Sequence, residues 1–270
     1  MNEVTVDGHS AYVYSGGKSL QAEQDTALPA LLFIHGATLD HSSWNLQSRW
    51  FAHHGHTVLA VDLPGHGRSV GAPLTTIAAI AAWLMALLDA TGIARAALVG
   101  HSMGSLAALE AAACFPARIT SIALLGNATP MPVSASLLEA AKNDEPRARS
   151  MINIWSHSPR AQLGGNAVPG MWLPGMNLRL MERATPGVLF ADLSACNDYR
   201  VGLEHAAKVV CPALILSGSH DLMAPPKATL ALAATLPGAK RLVLNGAGHA
   251  MMSEQPDAVL DALIAFLVGN

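Results

Sequence analysis

Short, unbroken apolar runs alternate with helical patterns through most of this chain, and that alternation constrains the fold more than any other feature. Ala30 to Ile34, Thr57 to Val61, Ala96 to Val99, Ile119 to Leu125, Ala213 to Ser217 and Arg241 to Leu244 have strand length. Helical patterning covers about Ser42 to His53, Thr75 to Ala90, Ser102 to Cys114, a stretch beginning near Pro226, and Ser253 to Val268. Continuous apolar strands are buried on both faces, so the pattern calls for a mostly parallel sheet covered by helices on both sides. Right-handed crossovers then bring the strand C-terminal ends to one edge, where ligands of such sheets bind. At the start, Val4 and Val6 alternate before Asp7-Gly8 and Ala11 to Tyr14 follows, the pattern of a hairpin closed by a primed turn. The expectation is an α/β fold of about eight strands.

The alternation stops at Asn127. From there to about residue 206 no strand-like run occurs, and the helical candidates are short: Ala135 to Lys142, Arg147 to His157, Asn177 to Arg183 and Pro186 to Cys196. Residues 127–206 therefore read as a helical insertion, with 1–126 and 207–270 forming the core. The chain of 270 residues suits one large domain with such an insertion. Its net charge of −3 gives no reason to expect nucleic acid or an acidic membrane surface as a partner. The longest uncharged apolar run, Leu74 to Leu88, is short of the roughly 20 residues a bilayer requires. The polar start, Met1 to Ser10, lacks the basic and apolar regions of a signal peptide, which points to the cytoplasm. Three separated cysteines, Cys114, Cys196 and Cys211, read as small core residues of a reducing compartment.

Chemistry concentrates at Gly100-His101-Ser102-Met103-Gly104. A strand leads into it and a small-residue helix leaves it, so serine occupies the apex of a tight corner, where flanking glycines remove the side chains that would collide. A serine hydroxyl needs a base, and the base needs a group to fix its tautomer. Both follow at strand exits on the same sheet edge: Asp221 after Ala213 to Ser217, and His249 after Arg241 to Leu244.

With these motifs the chain resembles the α/β-hydrolase superfamily, and the resemblance covers nearly its whole length. The order serine, aspartate, histidine fits, as do His35-Gly36 after the third strand, Asp62-Leu63-Pro64-Gly65-His66-Gly67-Arg68-Ser69 after the fourth, and Gly248-His249 followed by Glu254 and Pro256. The resemblance implies Ser102 as nucleophile, His249 as general base and then acid, and Asp221 as its orienting carboxylate. It also implies an oxyanion hole made by the backbone amides of Met103 and of Ala37, with Thr38 as the rival of Ala37. An alternative acid position after the strand that follows the nucleophile helix holds Asn127 and no carboxylate. Ser105 stands where most such elbows have a further glycine.

Within the superfamily, serine at the elbow argues against epoxide hydrolases and haloalkane dehalogenases, which place aspartate there. His101 before it looks more like carboxylesterases, monoacylglycerol lipases and lactonases than carbon–carbon bond hydrolases. The expected function is hydrolysis of a small or medium ester, lactone or thioester through an acyl-enzyme, without cofactor or metal. The alternatives are a ligand receptor on the same fold, or a cofactor-free lyase or oxygenase. The insertion resembles the family's helical cap, and its seven acidic and seven basic residues balance. Its tryptophans and methionines lean toward a small-molecule substrate with an apolar acyl or aryl group. His35, His101, Trp155, Met171 and Trp172 are candidate pocket residues, with Met176 and Met181 beside them. The octapeptide Asp62 to Ser69 reads as a turn without a chemical role. His53, His54 and His56 are dense enough to suggest a metal, but their side chains diverge at a helix end.

Overall fold

The computed structural model describes residues 2–18, 28–165 and 170–269. The strands are β1 (Glu3–Val6), β2 (His9–Tyr14), β3 (Ala30–Ile34), β4 (Val58–Val61), β5 (Ala96–His101), β6 (Ile119–Leu125), β7 (Ala213–Gly218) and β8 (Lys240–Leu244). They form one sheet in the order β1-β2-β4-β3-β5-β6-β7-β8. β1 and β2 pair antiparallel, β2 joins β4 antiparallel, and the remaining neighbours are parallel. This is the α/β-hydrolase fold. The Asp7-Gly8 signal acts as read: both residues have positive φ, 49° and 80°, and Val6 pairs with His9 across the turn.

The period of two along the central strands sorts side chains into two cores. Leu32 and Ile34 of β3 pack with α2 (Ile77–Ala90) and α3 (Met103–Cys114) on one face. Leu31 and Phe33 pack with α1 (Asn45–His53) and α12 (Pro256–Leu267) on the other. Each such fully buried Leu, Ile or Phe contributes about 1.5–3 kcal/mol, so both layers are strongly held.

Several helix limits differ from the sequence expectation for local reasons. The helix expected from Ser42 begins as a 3₁₀ turn, His41–Trp44, capped by the Asp40 side chain, which accepts from Ser42 N at 2.8 Å; α1 follows. The last helix divides into α11 (Met251–Glu254) and α12, because Pro256 has no N–H with which to continue α11 and suits the first turn of α12. The helix near Pro226 is a 3₁₀ turn followed by the short α10 (Leu230–Thr235). Cys114 is exposed at the end of α3, where the helix emerges from the core; Cys196 is buried and Cys211 half-buried.

Between β6 and β7 lie α4 (Ala135–Asn143), α5 (Glu145–Ser156), α6 (Pro159–Gln162), α7 (Leu173–Met181), α8 (Val188–Asp198) and α9 (Gly202–Ala206). α7 starts four residues before its expected position because Pro174 fits a first turn. Leu137, Ile152, Met181, Leu189 and Leu193 form a small separate core with Leu39, from the loop after β3. At the far end of the segment, Glu110 of α3 accepts from Tyr199 Oη at 2.6 Å and from His205 Nδ1 at 2.5 Å. No helix among the described residues is long and apolar enough to cross a membrane.

Candidate active site

Ser102 sits at the β5–α3 corner with φ 52° and ψ −117°, outside the regions an L-residue prefers. The corner is held by contact between small residues. A Cβ on Gly100 would lie 2.1 Å from Gly104 O, and one on Gly104 would lie 2.4 Å from Ile34 O and 2.6 Å from His35 O. Any larger residue at either place would push helix and strand apart. The Ser102 carbonyl accepts from Ser105 N at 2.8 Å and from Ser105 Oγ at 2.6 Å. Ser105 Oγ in turn accepts from Asn127 Nδ2 at 2.8 Å, and Asn127 Oδ1 accepts from Thr129 Oγ1 at 2.8 Å. Serine at 105 and asparagine at the alternative acid position thus form one buried relay beneath the corner.

His249 and Asp221 come together as their strand exits imply. His249 Nδ1 donates to Asp221 Oδ2 at 2.7 Å, and Asp221 Oδ1 accepts from Met223 N at 2.8 Å and Ala224 N at 2.7 Å. Burial alone would raise the Asp221 carboxyl. The charge and hydrogen bond of His249, with the two backbone N–H groups, outweigh it and hold the group below the usual carboxylate range. With Nδ1–H given to the aspartate, His249 keeps Nε2 for a second partner. The loop carrying it is tightly seated: a Cβ on Gly248 would lie 2.6 Å from Glu254 Oε1 and 2.7 Å from Ser156 O. Glu254 accepts from Gly248 N and from Ser158 N, each at 3.2 Å, while Ala250 N donates to Ser156 O at 2.9 Å. Residues of the helical segment therefore hold the histidine loop.

His101 packs on His249 with ring centroids 4.6 Å apart, and its Nε2 donates to the His249 carbonyl at 3.0 Å. Burial, then the neighbouring His249, lower the His101 imidazole to about 3, so it is neutral with Nδ1 bare.

After β3 the chain turns tightly, with Leu39 N donating to Gly36 O at 3.2 Å. Gly36 lies against the corner: a Cβ there would stand 3.2 Å from Ser102 Cβ. Thr38 has φ 58° although it is β-branched and buried. Its N–H donates to Asp192 Oδ2 of α8 at 2.9 Å, and its Oγ1 donates to the Ala37 carbonyl at 2.7 Å. The same Asp192 oxygen lies 2.8 Å from His66 Nε2, and His66 Nδ1 lies 3.0 Å from Pro64 O. Both ring nitrogens face atoms that only accept, so His66 carries both protons. Burial opposes that charge, yet the Asp192 carboxylate and these hydrogen bonds outweigh it and raise the imidazole above its ordinary value.

Ser102, His249 and Ala37 open into one cavity of about 970 Å³ between the sheet edge and the helical segment. Of the pocket candidates, His101, Trp155 and Met171 line it, with Met176 and Met181. Two do not. His35 is fully buried behind the loop, where its Nε2 accepts from Leu63 N at 3.1 Å and its ring packs on His66 at 4.7 Å. Burial, then His66, lower it to about 4. Trp172 is 68% exposed, and its ring covers Gly175. The octapeptide does more than turn. Asp62 accepts from His41 N at 2.8 Å, His41 Nδ1 at 2.7 Å and Arg68 N at 2.9 Å, and His66 carries the link to Asp192. Sequence reading missed Asp192, a lone carboxylate in a helix without a motif. His54 stacks on Trp50 and His56 turns its edge to Phe51, so the histidine cluster faces different neighbours.

Fold and site geometry together define a hydrolase of the α/β class. The chain belongs to the alpha/beta hydrolase family, whose model matches residues 31–262. Among curated relatives, it is 28% identical over 278 residues to the 2-hydroxy-6-oxononadienedioate/2-hydroxy-6-oxononatrienedioate hydrolase of Paraburkholderia phymatum, covering 94% of this chain and 93% of that one. Among solved structures, the enol-lactonase of Burkholderia xenovorans LB400 superposes with a TM-score of 0.86 at 23% identity, over 98% of this chain and 99% of the other. An esterase from Exiguobacterium antarcticum superposes with a TM-score of 0.83 at 18% identity, over 99% of both.

Proposed function

We propose that Ser102, His249 and Asp221 form a catalytic triad that cleaves a small or medium carboxylic ester, lactone or thioester by way of an acyl-enzyme. The observation that carries this reading is the 2.7 Å bond from His249 Nδ1 to Asp221 Oδ2, in a site whose serine stands on a strained corner facing the same cavity. His249 Nε2 takes the hydroxyl proton as Ser102 Oγ attacks the carbonyl carbon, then gives it to the departing alcohol, and water releases the acid by the reverse route. The oxyanion is held by the N–H groups of Met103, first in α3, and Ala37. Of the two candidate amides after β3, that of Thr38 is already bonded to Asp192, which favours Ala37.

Residues 127–206 act as the cap over this site. Its contributions to the cavity are mainly apolar, among them Leu137, Ile152, Trp155, Met176 and Leu193, which favours an apolar acyl or aryl group. The protein works in the cytoplasm. A fluorophosphonate should label Ser102 covalently, and Ser102→Ala should abolish labelling and lower turnover of a 4-nitrophenyl ester by at least about 10⁴-fold. Wild-type turnover by folded Ser102→Ala would sink the reading.

A further inference from the structure

Glu110 and Cys114 stand one helical turn apart on α3, so their side chains leave the same face. His205, on α9, meets them there. Cys114 Sγ donates to Glu110 Oε1 at 3.4 Å, His205 Nδ1 lies 2.5 Å from Glu110 Oε2, and one donor atom from each residue falls within 4.8 Å of the others. Tetrahedral Zn²⁺ keeps sulfur, nitrogen and oxygen donors about 3.3–3.6 Å apart, so shifts of under about 1 Å bring these three to its shell. Tyr199 Oη donates to the same Oε2 at 2.6 Å and fixes the carboxylate, the kind of outer contact that orients a metal ligand. The carboxylate is buried, and among the described residues its ion pair is with His205 alone, since Lys208 is taken by Glu204 at 2.8 Å. Cys114 is exposed and His205 half-buried, which leaves an entry path and room for a water as fourth ligand.

We propose that Glu110, Cys114 and His205 form a Zn²⁺ site that clamps the end of the helical segment to α3. One thiolate, one imidazole and one carboxylate suit Zn²⁺, whereas Mg²⁺ and Ca²⁺ call for oxygen donors. The metal takes the place of the Cys114 thiol proton and of the proton between His205 Nδ1 and Glu110. The thiol proton leaves to solvent, and the imidazole binds through Nδ1 with its own proton on Nε2. The site lies at the C-terminal end of α3, the opposite end from Ser102, so it acts on the fold and takes no part in ester chemistry. It is independent of the hydrolase reading above.

The test uses the whole protein, kept reduced and stripped of metal with a chelator. Titration with Co²⁺ should bind one equivalent per chain and give a near-ultraviolet thiolate-to-cobalt charge-transfer band, which Zn²⁺ should then displace. Cys114→Ser changes an exposed position, so the variant should fold and lose the band. Glu110→Gln and His205→Gln should each weaken binding at least about tenfold, since losing even an outer partner of a metal site costs that much. Free Zn²⁺ at about a hundredfold over Kd should raise the wild-type melting temperature by about 5 °C or more and leave Cys114→Ser unmoved. Absence of the band in the wild type overturns the proposal. Binding that persists unchanged in Cys114→Ser, through exposed His53 and His54 for example, is adventitious only and also overturns it. So does binding that neither Glu110→Gln nor His205→Gln weakens, or a bound metal that leaves the melting temperature where it was.

Discussion

Ser102 and Thr38 both carry a side chain at positive φ, 52° and 58°, and opposite means hold them there. At Ser102 the strain is enforced locally: Gly100 and Gly104 let β5, α3 and β3 approach so closely that the chain between them has no room to relax. At Thr38 hydrogen bonds take that part: its own Oγ1 donates to the Ala37 carbonyl, and Leu39 N closes the turn on Gly36 O. A carboxylate 154 residues away accepts its N–H, and that carboxylate belongs to the helical segment. The first device works through exclusion of volume and depends on nothing beyond its neighbours. The second works through directional bonds, and one of them depends on a distant partner.

The largest effect is expected where exclusion is violated. In Gly104→Ala the new Cβ would lie 2.4 Å from a backbone oxygen that cannot step aside, so the variant should be insoluble or lose more than about 4 kcal/mol in urea denaturation. A variant that folds with wild-type stability would break the claim that packing holds the corner. Asn127→Ala asks how much the corner also owes to hydrogen bonds. Removing the donor to buried Ser105 Oγ should cost about 1–3 kcal/mol, and a loss under a few tenths would leave packing as the sole support.

The pH dependence of stability probes the neutral histidines between the two loops. His101 and His35 are lowered to about 3 and about 4 from an ordinary 6.5. Below pH 6.5 the unfolded chain binds protons that the folded one refuses, so their contribution is complete above pH 6.5 and shrinks as the pH falls toward 4. Asp62 and Asp221, lowered from 3.8, lose theirs only at more acidic pH, and raised His66 loses its own only as pH rises through its folded value. The melting temperature should therefore drop between pH 6.5 and 4, less steeply in His101→Gln; equal slopes would remove His101 from the account. The smallest effect belongs to Asp7, whose positive φ lies in an exposed hairpin turn with neither device. Asp7→Ala should cost about 1 kcal/mol and Asp7→Asn almost nothing, measured by thermal melting.

The same contrast explains what was legible in the sequence. Apolar strand runs, the Asp-Gly hairpin and the glycine spacing around Ser102 are local signals, and each leads to the element it implies. Asp221 and His249 could be found because parallel strands bring their exits to one edge, which makes chain order informative about distance. The loop after β3 was half legible. A backbone N–H has no side-chain signature, so the sequence leaves Ala37 and Thr38 as rivals, and only the structure reveals that the Thr38 N–H is bonded to Asp192. Asp192 had no signal, since its partner is 154 positions away. Trp172 misled because size and apolarity do not reveal which way a residue just ahead of a helix faces.

The attachment of the helical segment at Asp192 and Ser156 bears on how such proteins diversify. A segment that only roofed a cavity could be exchanged between relatives as a unit, bringing a new specificity with it. This one also supplies an acceptor to the loop after β3 and a carbonyl to the loop after β8, so a transplanted segment must bring both or disable its recipient. Chimeras built across residues 127–206 should be designed with both contacts in hand.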